Sequence, residues 1–199
     1  MTSNAGTTLL ELTFAMAILT IVMGALFTMS QSIGDTAKVQ DVKIIAVDEG
    51  RRALLGLIPP LRQAQALSIN YEKLPADVLR FRIPADNDGN GLAINAANVI
   101  ELGEEIIVRR DVDDENGDGI SSSQLIMFQD DSMTVLANHL SPDAGPTLIP
   151  GTTQLTKNTA GFWVEKNDGA LSITIRTQGK DRKGRILRQE YTQLVKPRN

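Results

Sequence analysis

The sequence predicts an α+β fold, a long N-terminal helix followed by an antiparallel sheet, and three observations carry that expectation. From about Thr8 to Ile58 nothing except glycine interrupts a helical pattern, and Pro59-Pro60 then provides a stop. Seven short segments of strand type follow. Between them lie Gly-, Asn- and Asp-rich stretches of the kind that turn a chain back on itself.

The helix comes first. About fifty residues at about 1.5 Å of rise each would span about 75 Å. Leu12 to Gly34 is a run of 23 residues without an ionisable side chain, and about 20 helical residues cross a bilayer core of about 30 Å. This half is apolar all round, as lipid requires, and Gly34-Asp35 marks its exit from the membrane. The second half is amphipathic. Val39, Val42, Ile45, Ala46, Ala53, Leu54 and Leu57 fall near one stripe, with Asp41, Lys43, Asp48 and Arg52 largely elsewhere. A helix that begins in lipid and ends packed on a soluble domain is expected, and "LRQAQALSINYEKL" (61–74) reads as a second helix beyond the prolines.

The strands follow. In "DVLRFRIP" (77–84), Leu79, Phe81 and Ile83 alternate with Arg80 and Arg82, the in–out code of a half-buried strand. Similar signals occupy 104–110, 123–129, 132–140, 160–166, 170–178 and 185–195. "NDG" (167–169) reads as a tight hairpin turn. The basic run "GKDRKGR" (179–185), bracketed by Gly179 and Gly184, reads as a solvated hairpin turn rather than a nucleic-acid patch. Residues 140–154, rich in Pro and Gly, read as a loop.

Composition narrows the function. Aromatics are 4% of the chain, too few for the stacking surfaces that single-stranded nucleic acid needs, so nucleic acid is not an expected partner. There is no cysteine and one histidine, His139, which removes disulfides, thiolate metal sites and cysteine nucleophiles and leaves His139 as a structural or surface residue. With no G-x-S-x-G and no paired histidines, an enzyme is not expected. Residues 1–158 carry eleven basic and twenty acidic side chains, residues 159–199 nine and four.

Two acidic loops are candidate metal sites. "DNDGNGL" (86–92) sets Asp86, Asp88 and Asn90 at alternate positions before Gly91, and "DENGDGI" (114–120) does the same with Asp114, Asn116 and Asp118 before Gly119. Alternating oxygen ligands closed by a glycine turn match the first half of a calcium loop. The acid at the twelfth position is absent, since Ala97 and Leu125 stand there. Each loop is therefore half a motif, which an Asx-rich turn without an ion also explains. Calcium is the one candidate cofactor, and none is required by the rest of the sequence.

Glu11 is the residue that most needs a reason. A secretory signal peptide has a basic leading region and a small-residue cleavage site, whereas residues 1–6, "MTSNAG", contain no Lys or Arg. A plain membrane anchor leaves the acid unexplained, because an intramembrane carboxylate costs a few kcal/mol on insertion scales (about 3) unless it has a partner. Cleavage after Gly6 would create one, an α-amino group at Thr7, one turn before Glu11. Between neighbouring chains, the acid of one could neutralise the terminus of the next and set the stagger of parallel helices.

Gly6 followed by "TTLLELTFAMAILTIVMGALF" resembles the N-terminus of type IV pilins and of type II secretion pseudopilins. That resemblance implies cleavage after Gly6 by a prepilin peptidase, N-methylation of Thr7, and assembly through Glu11, the fifth mature residue. It implies further partners: other pilin or pseudopilin subunits, an assembly platform and the bacterial inner membrane. The globular part would lie in the periplasm or outside the cell. Thr7 stands where the family most often has phenylalanine, the leader lacks a basic residue, and the span lacks proline. "MTVLANHL", "GFWVEKNDGALSITIRTQGKD" and "LVKPRN" are similar to the tail of larger minor pseudopilins of the J type and related minor pilins. The expected organisation is a leader at 1–6, a membrane and assembly segment at 7–34, an amphipathic segment at 35–58 and a globular α+β domain at 59–199. The expected role is a structural subunit near the tip of a pilus or pseudopilus. The alternative is a calcium-dependent adhesin or binding domain merely tethered by its helix.

Overall fold

The computed structural model describes residues 9–74, 76–120, 122–143, 145 and 158–198. The chain divides into two units, Met1–Asp41 and Val42–Asn199, and one helix, α1 (Leu9–Gln63), contributes to both. Among the described residues seven strands follow: β1 (Val78–Pro84), β2 (Leu102–Asp111), β3 (Gln124–Gln129), β4 (Ser132–Ala137), β5 (Phe162–Asn167), β6 (Ala170–Lys180) and β7 (Ile186–Val195). The α+β expectation holds.

In the first unit, no residue from Leu9 to Asp41 is buried. Leucine, isoleucine, methionine and phenylalanine side chains face outward on all sides, and the helix is long and apolar enough to cross a membrane. Its described threonine hydroxyls bond back to the helix. Thr13, Thr20, Thr28 and Thr36 donate to the carbonyls of Leu10, Met16, Ala25 and Ser32 at 2.8 to 2.9 Å. Such back-bonding satisfies a donor that has no water to turn to in lipid.

In the second unit, α1 buries Ala46, Glu49, Gly50, Ala53, Leu57 and Leu61, a stripe at spacings of three and four. Ala46, Ala53 and Leu57 are buried as expected, and the rest of the expected stripe is corrected. Ile45 is 49% exposed, Val39 and Val42 are only half-buried, and the charged Glu49 takes a place on the core side. The prolines do not stop the helix either, since it continues through Pro59 and Pro60 to Gln63. A proline inside a helix costs about 3 kcal/mol. Leu57 and Leu61, both fully buried one turn apart, contribute about 1.5 to 3 kcal/mol each, which offsets half or more of the roughly 6 kcal/mol that the two prolines together cost.

Among the described residues no second α-helix follows. Ala64 and Gln65 are drawn into pairing with distant chain: Gln65 N–H donates to the Arg82 carbonyl at 3.2 Å, and Gln65 forms a parallel bridge with Arg198, whose N–H donates to the Ala64 carbonyl and whose carbonyl accepts the Ala66 N–H, both at 2.9 Å. Two single 3₁₀ turns, Ala66–Ser68 and Tyr71–Lys73, occupy the predicted helical stretch.

The strands form two antiparallel sheets where one was expected, β1-β2-β3-β4 and β5-β6-β7. They are stitched at two points. Ala76 and Val164 exchange N–H···O bonds of 3.0 and 2.8 Å, and Leu140 bridges Thr177. Leu79 and Phe81 are buried and Arg80 and Arg82 exposed, as the alternation predicts. A common core joins both sheets to α1, with Leu57, Phe81, Val108, Leu125, Phe162 and Ile173 at its centre. Asp168-Gly169, both at positive φ, make the two-residue turn between β5 and β6. The basic run turns the chain from β6 to β7. Within it the Asp181 carboxylate accepts the Lys183 and Arg185 N–H groups and the Arg185 guanidinium at 2.7 to 2.9 Å. His139 is exposed, and its carbonyl accepts the Gln178 N–H at 2.7 Å.

Candidate functional site: an apolar helix start and two acidic loops on β2

Glu11 lies in the first turn of α1. An acid is favoured there by the unpaired N–H groups and the positive end of the helix dipole. Exposed apolar residues surround it, Leu9, Leu10, Leu12 and Phe14 among them. Gly6 and Thr7, the expected processing residues, lie outside the described residues.

The acidic loops sit at opposite ends of β2. The first joins β1 to β2. Its Asp86 carboxylate accepts the N–H groups of Gly89, Asn90 and Gly91 at 2.7 to 3.1 Å. The hydrogen bond from Gly91, above all, holds the Asp86 carboxyl below the usual carboxylate range. Gly89 and Gly91 have positive φ, which lets consecutive amides converge on one oxygen pair. Oxygens of Asp86, Asp88 and Glu101 lie within 4.8 Å of one another. Ligands bound to a single calcium at about 2.4 Å can be no more than about 4.8 Å apart, so the set fits that ion.

Two of the three predicted side chains of this loop are therefore brought together. Asn90 turns its amide nitrogen to Asp88 and to the Ile94 carbonyl, while its oxygen accepts the Leu92 N–H. The third acid is Glu101, which the calcium-loop spacing misses because that spacing counts along the chain. Pro84 pairs with Leu102 and the Ala85 N–H donates to the Glu101 carbonyl at 3.1 Å, so the base of the hairpin returns Glu101 beside Asp86. The signal that could have found it is strand register rather than a twelve-residue count.

The second loop joins β2 to β3. Both Asp114 oxygens accept the Gly119 N–H at 3.1 Å, and the Asp118 carboxylate takes Nε2 of Gln124 at 2.6 Å and the Ile120 N–H at 2.8 Å. The Gln124 hydrogen bond is the main reason the Asp118 carboxyl sits below its usual range. Asn116 donates to Oε1 of Gln124 at 2.8 Å and to Asp118 at 3.2 Å. Asp114, Asn116 and Asp118 thus share one hydrogen-bonded loop. Among the described residues, however, the only three acids gathered within 4.8 Å are those of the first loop. Asp111, the last residue of β2 and the first of five acids within Asp111 to Asp118, pairs in register with Gln124, the first residue of β3, which sequence reasoning missed; both are buried.

No known family matches this chain, nor does any curated protein or solved structure. What stands is the layout: one long apolar N-terminal helix leading into antiparallel sheets, compatible with the arrangement of a pilin.

Proposed function

We propose that this chain is a minor pilin-like subunit, anchored in the bacterial inner membrane by α1, cleaved after Gly6 and assembled through Glu11 into a pilus or a secretion pseudopilus, near its tip. The observation that carries the reading is the coincidence of a carboxylate in the first turn with an apolar surface on every side of the following turns. A helix that only anchors a domain gains nothing from an acid at that depth. A helix that packs against copies in a filament gains a docking charge, because the cleaved terminus of a neighbour is its natural counter-ion. The work of such a chain is assembly, not catalysis.

Calcium at Asp86, Asp88 and Glu101 would act structurally in this reading, clamping the base of the β1–β2 hairpin. The same cluster favours the second reading, a tethered calcium-dependent adhesin. Mass spectrometry of the native N-terminus separates the two: the subunit starts at a methylated Thr7, the tethered domain at Met1 or Thr2. The Glu11→Ala variant is expected to remain in the membrane yet fail to enter filaments, and normal incorporation would remove the docking role.

A further inference from the structure

Asp111 has no exposed surface. Its Oδ1 accepts the Glu115 N–H at 3.0 Å, whereas its Oδ2 is sealed from solvent and has no hydrogen-bond partner. A carboxylate can only accept, so an interior oxygen without a donor lacks the compensation that buried acids otherwise show. Its position says what is missing. Asp111 stands opposite Gln124 in the β2–β3 pairing, and opposite residues of an antiparallel pair place their side chains on the same face. The Gln124 amide on that face is hydrogen-bonded to Asn116 and Asp118. The bond from Glu115 ties the Asp111 carboxylate to the same loop.

The charge around it is one-sided. Glu115 is held by Arg109 at 2.6 Å, but among the described residues no ion pair reaches Asp111, Asp113, Asp114 or Asp118. Four of the five acids within these eight residues, one of them buried with an orphan oxygen, form a ligand set of hard oxygens with no basic side chain paired to them among the described residues. We propose that Asp111 anchors a divalent-cation site of the calcium class, with Oδ2 as its interior ligand and Asp114, Asn116 and Asp118 closing over the ion from the loop. The acids of this loop are less gathered than those of the first, so the ion draws them in rather than finding them assembled. The site is independent of filament assembly and of the Asp86 cluster.

Loading has a route into the domain. Gln124 Nε2 also donates to Asn138 Oδ1 at 2.9 Å, and the Asn138 N–H donates to Glu49 of α1 at 2.8 Å. An ion that fixes Asp118 and Gln124 thereby steadies the polar seat of the helix.

The test is calorimetric titration of the full chain in detergent micelles with calcium, after chelator treatment, for the wild type and the Asp111→Asn, Asp118→Asn and Asp86→Asn variants. Asp111→Asn is expected to bind one equivalent fewer than the wild type. It should melt no lower than the wild type without calcium, since it removes an uncompensated buried charge. Asp118→Asn, an exposed position that serves if Asp111→Asn does not fold, should lose the same equivalent, with slower amide exchange at 46–57 on calcium addition seen only where that equivalent is retained. Asp86→Asn separates the loops: it should leave the equivalent that depends on Asp111 and Asp118. Unchanged stoichiometry in Asp111→Asn or, if that variant does not fold, in Asp118→Asn overturns the proposal, as does a wild type that binds no calcium outside the Asp86 loop.

Discussion

The backbone N–H of Asn138, just beyond β4, donates to Oε2 of Glu49 on α1 at 2.8 Å, across 89 residues of sequence. Glu49 is only 7% exposed, with the Arg52 guanidinium 3.6 Å from its other oxygen. The helix is therefore keyed to the end of the four-stranded sheet by a charge-assisted bond. Thr177 adds a second key, its hydroxyl donating to the Ala46 carbonyl at 2.6 Å.

Removing the first key should be costly because the Asn138 donor stays behind. Leaving a mostly buried donor unsatisfied costs about 1 to 3 kcal/mol, while alanine returns only a few tenths, at most about 0.5 kcal/mol, in helix propensity. Glu49→Ala is expected to lower stability by about 1 to 2 kcal/mol in chemical denaturation of the full chain in detergent. Glu49→Gln, which keeps an acceptor, should lose less than half of that. Equal losses for the two would show that the hydrogen bond is not what matters.

Gly50 meets the ring of Tyr191. A Cβ at that position would overlap the tyrosine Cε2, so the ring must move before the helix can seat. Alanine would gain about 1 kcal/mol in helix propensity, but overpacking of this kind costs about 1 to 3 kcal/mol. Gly50→Ala should therefore destabilise despite the better helix former. In the Tyr191→Ala background the same substitution should become stabilising, and a double-mutant cycle without that sign change would mean the ring yields freely.

Glu101 provides the check on the first loop. At a calcium concentration about 100 times the dissociation constant, one site adds about 2.7 kcal/mol to stability, which for a domain of this size raises the melting temperature by about 5 to 10 °C. Glu101→Gln keeps an acceptor for the Asn87 N–H, now held at 2.7 Å by Oε2, but gives up the charge. Its thermal scan should lose the part of the calcium response that belongs to this loop. A full response would remove Glu101 from the ligand set.

Acid should reveal the β6–β7 turn. Burial disfavours the charged form of Asp181, but the hydrogen bonds and charge of Arg185 outweigh it and hold the carboxyl below its ordinary value of 3.8. Because the folded value is the lower one, the stabilisation is full above the ordinary carboxylate range and is lost as pH falls through the depressed value. Denaturation midpoints followed from pH ~7 to pH ~2 should fall less steeply in Asp181→Asn than in the wild type. Parallel curves would contradict this contribution.

Much of the molecule was legible in the chain because it depends on near neighbours. An uncharged run of 23 residues can only be a helix if it is to sit in lipid, and the alternation of Leu79 and Phe81 with Arg80 and Arg82 declares a strand with one wet face. Asp168-Gly169 makes its turn from its own backbone preferences. What tertiary structure alone decided concerns residues whose partners are remote. Pro59 and Pro60 lie inside a helix because the burial of Leu57 and Leu61 offsets much of the local penalty. Ala64 and Gln65 leave the helical course because Arg82 and Arg198 offer them hydrogen bonds. Glu49 faces inward because Asn138 supplies the donor that makes a buried acid tolerable, Glu101 joins the first acidic loop because strand register, not spacing, carries it there, and Gln124 meets Asp118 and Asn116 across the second. Periodicity reports what one element needs from its surroundings; only the folded chain determines which distant group meets that need.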